Sequence, residues 1–443
     1  MKIDRSKDIA IIGMSALFPK APDLNTYWDN LLNRVDAITD PMPGWGHEIS
    51  MDPGSDHINR VYTKRGGFLG GLGDFDPARF GIMPNSVPGG EPDQFIALNL
   101  AADALEDAGY GNGNFNSQNT GIILGHGIHA NRANTNGIQI GLVLDQTLMI
   151  LESLFPGMPQ DVKEGFSDLF KSKLPSLNPD SVPGLVPNMM TGRIANRLNL
   201  MGPNYILDGA CASSLIAIDS AITELIRGRA DMMLAGGINT TSSILVYMVF
   251  CQLGALSRSS RIRPFDTGAD GTLLGEGAGI VVLKRYEDAL RDNDRVYAVI
   301  KGVGISSDGR AKGMMAPRLE GEVLAMERAY KEADLSPESV ELMEAHGTGI
   351  PLGDKTEIQA LKAVMGERKG PFPTCALGSV KSMIGHCIPA AGIASVIKCS
   401  LALYHKLLPP MICNEVDKSL GIEETSFYVN TELRPWIHTG QTP

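Results

Sequence analysis

The chain alternates between short apolar runs and longer segments whose apolar positions have the spacing of a helix buried on one face. Before residue 290, apolar runs of strand length lie at residues 9–14, 120–125, 205–207, 231–237 and 279–283. Helical periodicity is found between them at residues 94–108, 140–154, 160–173, 188–198 and 216–226. Strands that alternate with helices predict an α/β sheet covered by helices.

The pattern restarts after residue 290. Strands are predicted at 296–304, 340–345 and 375–378, and helices at 320–333, 352–365 and 389–404. Two α/β stretches of like order predict an internal duplication. We divide the chain into an N-terminal half (1–290, with an insertion at 126–187) and a C-terminal half (291–443). The second half has three predicted core strands against five in the first, and after residue 410 only a weak extended piece at 426–430.

Composition and charge exclude several classes of function. The 443 residues are 43% hydrophobic, which is enough for a large core, and the net charge is -11 without a basic run, so we expect no nucleic-acid partner. No signal peptide and no membrane span are predicted. The six cysteines form no C-x-x-C motif, so we expect no metal site and a reducing, cytoplasmic location.

Cys211 lies in a turn between a predicted strand and a predicted helix. Residues 208–215 (DGACASSL) connect the strand at 205–207 to the helix at 216–226. A cysteine at such a turn points its sulfur at the helix N-terminus, where the dipole and free N–H groups favour a thiolate and can bind an oxyanion. This is the geometry of a nucleophile elbow with sulfur in place of oxygen, and the backbone N–H of Cys211 is an expected oxyanion donor.

Two later histidines fit Cys211 as partners. His346 lies in residues 344–349 (EAHGTG) and His386 in residues 381–386 (KSMIGH), each following a predicted strand. Sites in open α/β sheets assemble at the carboxyl ends of strands, so folding is expected to unite the three side chains. One histidine would suggest a protease-like pair with the thiol. Two neutral histidines can instead each donate a hydrogen bond to a thioester oxygen and stabilise an enolate formed by loss of a carboxylate.

Lys381 is a further candidate, because a cation five residues before His386 could orient a histidine or hold its pKa down. Each residue alone also has a simpler explanation. A lone cysteine is often a packing residue, a histidine before Gly-Thr-Gly can be a turn residue, and a lysine is usually a solvated surface charge. The combination of all three motifs is much more specific than any one of them.

These motifs resemble those of the β-ketoacyl synthases, or ketosynthases, of the thiolase superfamily. Further matching segments are residues 9–14 (IAIIGM), 263–266 (RPFD) and 275–279 (GEGAG). The resemblance covers nearly the whole chain, and the motifs occur in the order found in the family. More narrowly, the chain resembles the ketosynthase domain of a bacterial type I polyketide synthase. It implies an α/β thiolase-like fold, with duplicated βαβαβαββ halves in a five-layered αβαβα sandwich.

The resemblance also implies the roles of the candidate residues. Cys211 would be the nucleophile that accepts an acyl chain from an acyl carrier protein. His346 and His386 would support decarboxylation of malonyl-carrier protein and stabilise the enolate. Lys381 would organise the histidines, and Thr348 would contact the phosphopantetheine arm that carries the substrates.

The resemblance implies no bound cofactor and no metal, and a homodimer. The strand at 231–237, or the segment before Cys211, would pair across the dimer axis. Carrier proteins are acidic, as is this chain, so docking needs a local basic patch. Arg258, Arg261 and Arg263 are close in sequence and are candidates for it, with solvated loop charges or internal ion pairs as the alternative.

Two substitutions depart from the family pattern. Ketosynthases usually have Thr where this chain has Ile350, so one pantetheine hydrogen bond is lost, at a cost of about 1 kcal/mol. The fatty-acid branch has Glu nine residues beyond the second histidine, where this chain has Ser395, which favours the polyketide branch.

The C-terminal half is expected to be short by two core strands and by the family's Gly-Phe-Gly-Gly loop. The absent strands would cost more than the usual ~5–15 kcal/mol of stability, so we expect the chain to be unstable or inactive unless another segment or polypeptide completes it.

Alternatives are a non-elongating acyl-transferring ketosynthase, a thiolase acting on coenzyme A thioesters, and a scaffold protein that only binds carrier protein. The first often lacks the histidine found at His346, the second needs a second catalytic cysteine, and the complete Cys-His-His set argues against the third.

Overall fold

The computed structural model describes residues 7–127, 132–174, 179–311, 313 and 316–437. The strands are β1 (Ile9–Leu17), β2 (Thr120–Gly125), β3 (Asn204–Leu207), β4 (Met232–Asn239), β5 (Gly277–Arg285), β6 (Ala298–Ile300), β7 (Leu342–Glu344), β8 (Cys375–Gly378), β9 (Leu407–Leu408), β10 (Phe427–Val429) and β11 (Arg434–Pro435). The α-helices are α1 (Leu24–Leu32), α2 (His47–Ser50), α3 (Pro92–Asp107), α4 (Arg132–Ile138), α5 (Leu144–Leu154), α6 (Gln160–Ser172), α7 (Met189–Leu198), α8 (Ser213–Ile226), α9 (Ile244–Gln252), α10 (Tyr286–Asp292), α11 (Leu319–Ala333), α12 (Pro351–Met365), α13 (Lys381–Ile384) and α14 (Ala391–His405).

The N-terminal half supplies five strands of a six-stranded sheet in the order β3-β2-β4-β5-β1-β6, and the sixth strand, β6, comes from the start of the C-terminal half and pairs antiparallel with β1. Alternate residues of β1 face opposite sides: Ile9 and Ile11 join one buried cluster, whereas Ala10 and Ile12 join another. The sheet is therefore buried on both faces, as its near-continuous apolar strands predict. Next to a shift in strand register, β1 carries Gly13, where any Cβ would lie 2.6 Å from a backbone oxygen of α3.

The predicted layers are present. Helices α3 and α7 cover one face of the large sheet, while α8 and α14 pack on the other. A three-stranded sheet, β10-β8-β7, follows on the far side of α14, and α11 and α12 cover it from outside. This succession of helix and sheet layers places the N-termini of α8 and α14 at the centre of the molecule.

The C-terminal half contains the three expected strands, β6, β7 and β8, although β6 and β7 are shorter than their apolar runs. The weak extended piece at 426–430 forms β10, which pairs parallel with β8, so this sheet gains a strand that was not expected in its core. By order along the chain, β6, β7 and β8 correspond to β1, β2 and β3. In the first sheet β4 and β5 follow β2; in the second sheet β7 is an edge strand with no described strand beyond it, and β6 pairs with β1 in the first sheet instead.

An apolar groove of about 540 Å³ occupies part of this region. Its walls come from α8, from α14 and from the stretch that continues β6, through the residues Leu215, Ile216, Ile218, Ile300, Val303, Ile305 and Val396. The groove also reaches Gly209 and Ala212, which flank the cysteine turn. The open part of the C-terminal half is thus continuous with the back of the nucleophile elbow.

Two helical stretches of the described chain are long and apolar enough to cross a membrane, which the sequence pattern did not predict. One is Ile388–His405, which is 67% buried and so has the setting of a core helix. The other is Arg132–Leu154, where α4 and α5 are joined through a π-helix and only 6% is buried. Length and composition alone are weak evidence for a span. This second stretch lies in the predicted insertion, of which residues 128–131 and 175–178 are outside the described residues.

Candidate active site

Cys211 lies in a 3₁₀ turn between β3 and α8, at the predicted elbow. The turn is tight: Ala210 adopts a left-handed φ of 51°. Side chains on both sides hold it, because Asp208 accepts the N–H of Ala210 and the Ser213 hydroxyl accepts the N–H of Gly209. The small residues of this motif are therefore needed for a backbone that turns within three residues.

His386 is the side chain in direct contact with the thiol. Its Nε2 lies 3.0 Å from the Sγ of Cys211. The N–H of Ile388 donates to Nδ1 over 3.2 Å, which assigns the proton of the neutral ring to Nε2. The backbone of His386 is fixed by hydrogen bonds to Leu273 and Gly275 from the N-terminal half. This ring is thus oriented as a hydrogen-bond donor toward the sulfur.

His346 completes the group. It follows β7, and its ring stands perpendicular to that of His386, with 5.3 Å between ring centroids. The N–H groups of His346 and Gly347 donate to the two oxygens of Glu357 over 2.6 and 2.8 Å. A single buried carboxylate on α12 therefore fixes the loop that presents His346.

Desolvation and the charge of Lys381 both favour neutral rings, more strongly at the buried His386 than at the more exposed His346. Desolvation lowers the pKa of His386 well below its usual value, and the charge of Lys381 acts in the same direction. Desolvation and Lys381 lower the pKa of His346 to about 3. The side chain of His346 also has an exposed edge, which moderates this lowering. Two neutral imidazoles side by side are suited to donate hydrogen bonds to an oxyanion.

Lys381 is almost completely buried, with 3% of its surface exposed, so it is not a solvated surface charge. Desolvation lowers its pKa, while the nearby carboxylates of Glu344 and Glu357 and the thiol of Cys211 raise it. Its charge in turn lowers the pKa of Cys211 and of both histidines. The lysine thus acts electrostatically on every candidate group.

The surroundings of Cys211, taken together, favour its thiol form over the expected thiolate. Desolvation raises the pKa of Cys211 and outweighs the opposing effects of Lys381 and of the hydrogen bond from its own N–H. The backbone N–H at the helix end lowers the pKa of the thiol, as expected, but burial raises it by more. The role of the Cys211 N–H as an oxyanion donor stays a prediction.

Thr348 is buried in the same loop as His346. The carboxylate of Asp354 accepts the N–H groups of Thr348 and Gly349, and also that of Phe265. The Thr348 hydroxyl accepts the N–H of Ile350 over 3.4 Å. The loop is therefore well defined, and contact with a pantetheine arm stays a prediction.

The three candidate arginines differ in their exposure to solvent. Arg258 and Arg261 are exposed, and Arg258 lies 4.2 Å above the ring of Tyr62. Arg263 is half-buried and donates to the carbonyl of Gly268. Arg263 is thus turned inward, which leaves Arg258 and Arg261 as the candidates for a surface patch.

The six cysteines are free thiols. Cys375, Cys387, Cys399 and Cys413 all have a pKa raised to about 12 by burial, so they are poor nucleophiles. Among the described residues, no group of three or more His, Cys, Asp or Glu could hold a metal ion.

Sequence reasoning missed the carboxylates of the site. Glu344 accepts the N–H of Val380, next to Lys381. Glu357 and Asp354 accept N–H groups from the loop that carries His346. Glu344 stands inside the first histidine motif, and Asp354 and Glu357 are in the first turns of α12, where acidic residues are common for other reasons. Only the fold shows that their side chains turn inward.

The chain matches two models of known families. The N-terminal domain of β-ketoacyl synthases matches residues 6–289, and the C-terminal domain matches residues 297–414. Among curated proteins, polyketide synthase PksN of Bacillus subtilis is 36% identical over 97% of the chain, and polyketide synthase PksL of the same organism is 35% identical over 98%. A polyunsaturated fatty acid synthase polypeptide of Thraustochytrium sp. is 37% identical over 97% of the chain. The chain spans only 7%, 9% and 15% of the length of these three relatives.

Solved structures give the same result. The ketosynthase from module 6 of the bacillaene synthase of Bacillus subtilis is 34% identical, with a TM-score of 0.81, and 98% of this chain aligns with 68% of that one. The PfaC ketosynthase-chain length factor is 29% identical, with a TM-score of 0.84 over 97% of this chain and 45% of that one. The expected thiolase-like α/β fold is confirmed.

Proposed function

Because the chain belongs to the β-ketoacyl synthase family, we propose that its Cys211, His346 and His386 catalyse the decarboxylative condensation of an acyl group with malonyl-carrier protein in polyketide or fatty-acid-like chain elongation. One observation carries this proposal: the Nε2 of His386 lies 3.0 Å from the Cys211 sulfur, with the His346 ring beside it. One nucleophile and two neutral donors are the set that this reaction requires.

The reaction has two stages. Cys211 gives up its proton and attacks the carbonyl of an acyl thioester as a thiolate. The bond from that carbonyl to the carrier sulfur breaks, the carrier thiolate takes up a proton, and the acyl group is now bound to the Cys211 sulfur. Malonyl-carrier protein then loses CO2, and the electron pair of the broken C–C bond forms an enolate. The enolate carbon attacks the acyl carbonyl, and the Cys211 sulfur leaves and regains its proton.

The histidines act in the second stage. Negative charge grows on the thioester oxygen as CO2 departs, and N–H donors that are already aimed at this position stabilise it without reorganisation. The Nε2 proton of His386 is placed for this role. Lys381 keeps both rings neutral through its charge and favours the thiolate of Cys211 in the first stage.

The substrates would be carried on the phosphopantetheine of an acyl carrier protein, with no other cofactor. Thr348 lies in the same loop as His346 and is the proposed contact for the phosphopantetheine arm. Arg258 and Arg261 are exposed cations on an acidic chain and are the proposed docking residues for an acidic carrier.

We propose a homodimer that pairs through β3. The alternative strand, β4, is hydrogen-bonded to β2 and β5 on its two sides, so its backbone has no edge left. Strand β3 is an edge strand and is only partly buried. Pairing of two β3 strands would cover this edge and the adjoining elbow.

The apolar groove beside β6 is the proposed place for the two strands that would complete the C-terminal sheet. By the internal duplication they would extend the second sheet beyond its edge strand β7, as β4 and β5 follow β2 in the first sheet. We also propose a cytoplasmic location, in keeping with six free thiols.

An assay with acyl thioester and malonyl-carrier protein tests the function. Release of CO2 together with a β-ketoacyl product supports condensation. An acyl adduct on Cys211 without CO2 release would indicate a non-elongating transferase, and carrier binding without any adduct would indicate a scaffold. Condensation of two coenzyme A thioesters without decarboxylation would indicate a thiolase.

A further inference from the structure

Glu344 and Lys398 are buried charged side chains that lie close to the Cys-His-His-Lys group without belonging to it. Glu344 and Lys398 form an ion pair of 2.5 Å, and their side chains are 3% and 0% exposed. Desolvation of two charges offsets much of their mutual attraction, so a buried ion pair contributes little net stability compared with apolar residues of the same size. Its presence beside the site points to a role in placing other groups.

The carboxylate of Glu344 joins two catalytic segments. Its Oε1 accepts the N–H of Val380 over 2.6 Å, while its Oε2 accepts from Lys398. Glu344 is the last residue of β7, two residues before His346, and Val380 immediately precedes Lys381. One side chain therefore ties the strand end that carries His346 to the turn that carries Lys381.

Lys398 adds the third segment. It lies on α14, the helix that follows His386, so its contact with Glu344 connects that helix to both loops. The approach is close: a Cβ built on Gly378 would lie 3.0 Å from the Lys398 nitrogen and 3.2 Å from Oε2 of Glu344. Glycine at the end of β8 leaves the space that the ion pair occupies.

We propose that Glu344 and Lys398 are positioning residues, which together hold His346, Lys381 and His386 in one arrangement. The inference rests on the proposed condensation reaction. Neither side chain touches the thiol, so the pair acts through the backbone of the segments that it joins. It differs from Glu357, which holds only the His346 loop. Small displacements of catalytic groups have large effects on rate, so loss of the pair is expected to slow decarboxylation.

The test uses the full chain with Glu344→Gln, Lys398→Met and the double variant, which removes both charges. Each single variant leaves one buried charge unpaired and is expected to lower both Tm and kcat. The double variant is expected to recover Tm while kcat for condensation stays about tenfold below the wild type, with KM unchanged and acylation of Cys211 within about threefold. The exposed pair of Lys362 and Glu424, changed to Met and Gln, is the matched control.

A double variant with recovered Tm and wild-type kcat would overturn the proposal and leave the pair a purely structural feature. If the charge variants do not fold, Gly378→Ala decides, because its Cβ crowds both Lys398 and Glu344 and so displaces the pair without removing a charge. An unchanged kcat in this variant would contradict the proposal. Imidazole NMR signals of His346 and His386 give a readout independent of activity and should shift in these variants. If the wild type releases no CO2, the proposed function fails, and unchanged imidazole signals would then refute the positioning role separately.

Discussion

The two halves of the molecule hold their catalytic groups in different ways. In the N-terminal half, β1, β4 and β5 are buried along nearly their full length, and the nucleophile turn follows the edge strand of that sheet. In the C-terminal half, β6 and β7 are only half-buried. His386 is nevertheless fixed by the backbone of the first half, whereas His346 depends on buried carboxylates of its own half. The site is therefore joined across the halves rather than carried by the second sheet.

Replacement of either histidine is expected to have the largest effect on condensation, and the two replacements should differ in their effect on acylation. His346→Ala and His386→Ala should each lower condensation by about 10²–10³-fold, because each removes one donor to the enolate oxygen. Only His386 contacts the sulfur, so only His386→Ala should also slow acylation of Cys211. Release of CO2 and acylation are measured separately, with His57→Ala as an exposed control. Equal loss of acylation in both variants would refute the division of roles.

Hydrogen exchange measures whether the strands of the two halves differ in local stability. Amides of β4 are buried and paired on both sides, so they should exchange only through global unfolding. Amides of β7, the half-buried edge strand of the second sheet, should exchange about a hundredfold faster through local opening, which corresponds to ~2.7 kcal/mol. Equal protection of β4 and β7 would show that the second sheet is as stable as the first.

Lys381→Met should change the pH dependence of acylation. The thiolate is the attacking form, so acylation rises with pH through the raised pKa of Cys211. Loss of the neighbouring cation raises that pKa further and should move the profile to higher pH. Stopped-flow acylation across pH measures this shift. A profile that does not move would contradict an electrostatic role for Lys381.

The smallest expected effect concerns the departure at Ile350. Ile350→Thr restores a hydroxyl next to the Thr348 loop and should lower KM for a pantetheine substrate by about fivefold, which corresponds to ~1 kcal/mol. The change to Val serves as a control without the hydroxyl. An equal gain in both variants would assign the effect to side-chain size.

The sequence predicted much of this structure and site. Strands β1–β5, the duplication, and the meeting of Cys211, His346 and His386 followed from apolar periodicity and from motifs at strand ends. The raised pKa of Cys211 and the inward turn of Arg263 did not, because burial depends on which segments pack together. Glu344, Glu357 and Lys398 have the same letters as surface charges, and only tertiary contacts reveal their buried positions.

The most direct test of the account is the intact mass of the chain after incubation with an acyl thioester. We predict one acyl adduct that is absent in Cys211→Ala, retained in Cys251→Ala, and consumed when malonyl-carrier protein is added. An adduct that persists in Cys211→Ala, or a folded chain that forms none, would contradict the assignment of Cys211 as the acyl-carrying nucleophile.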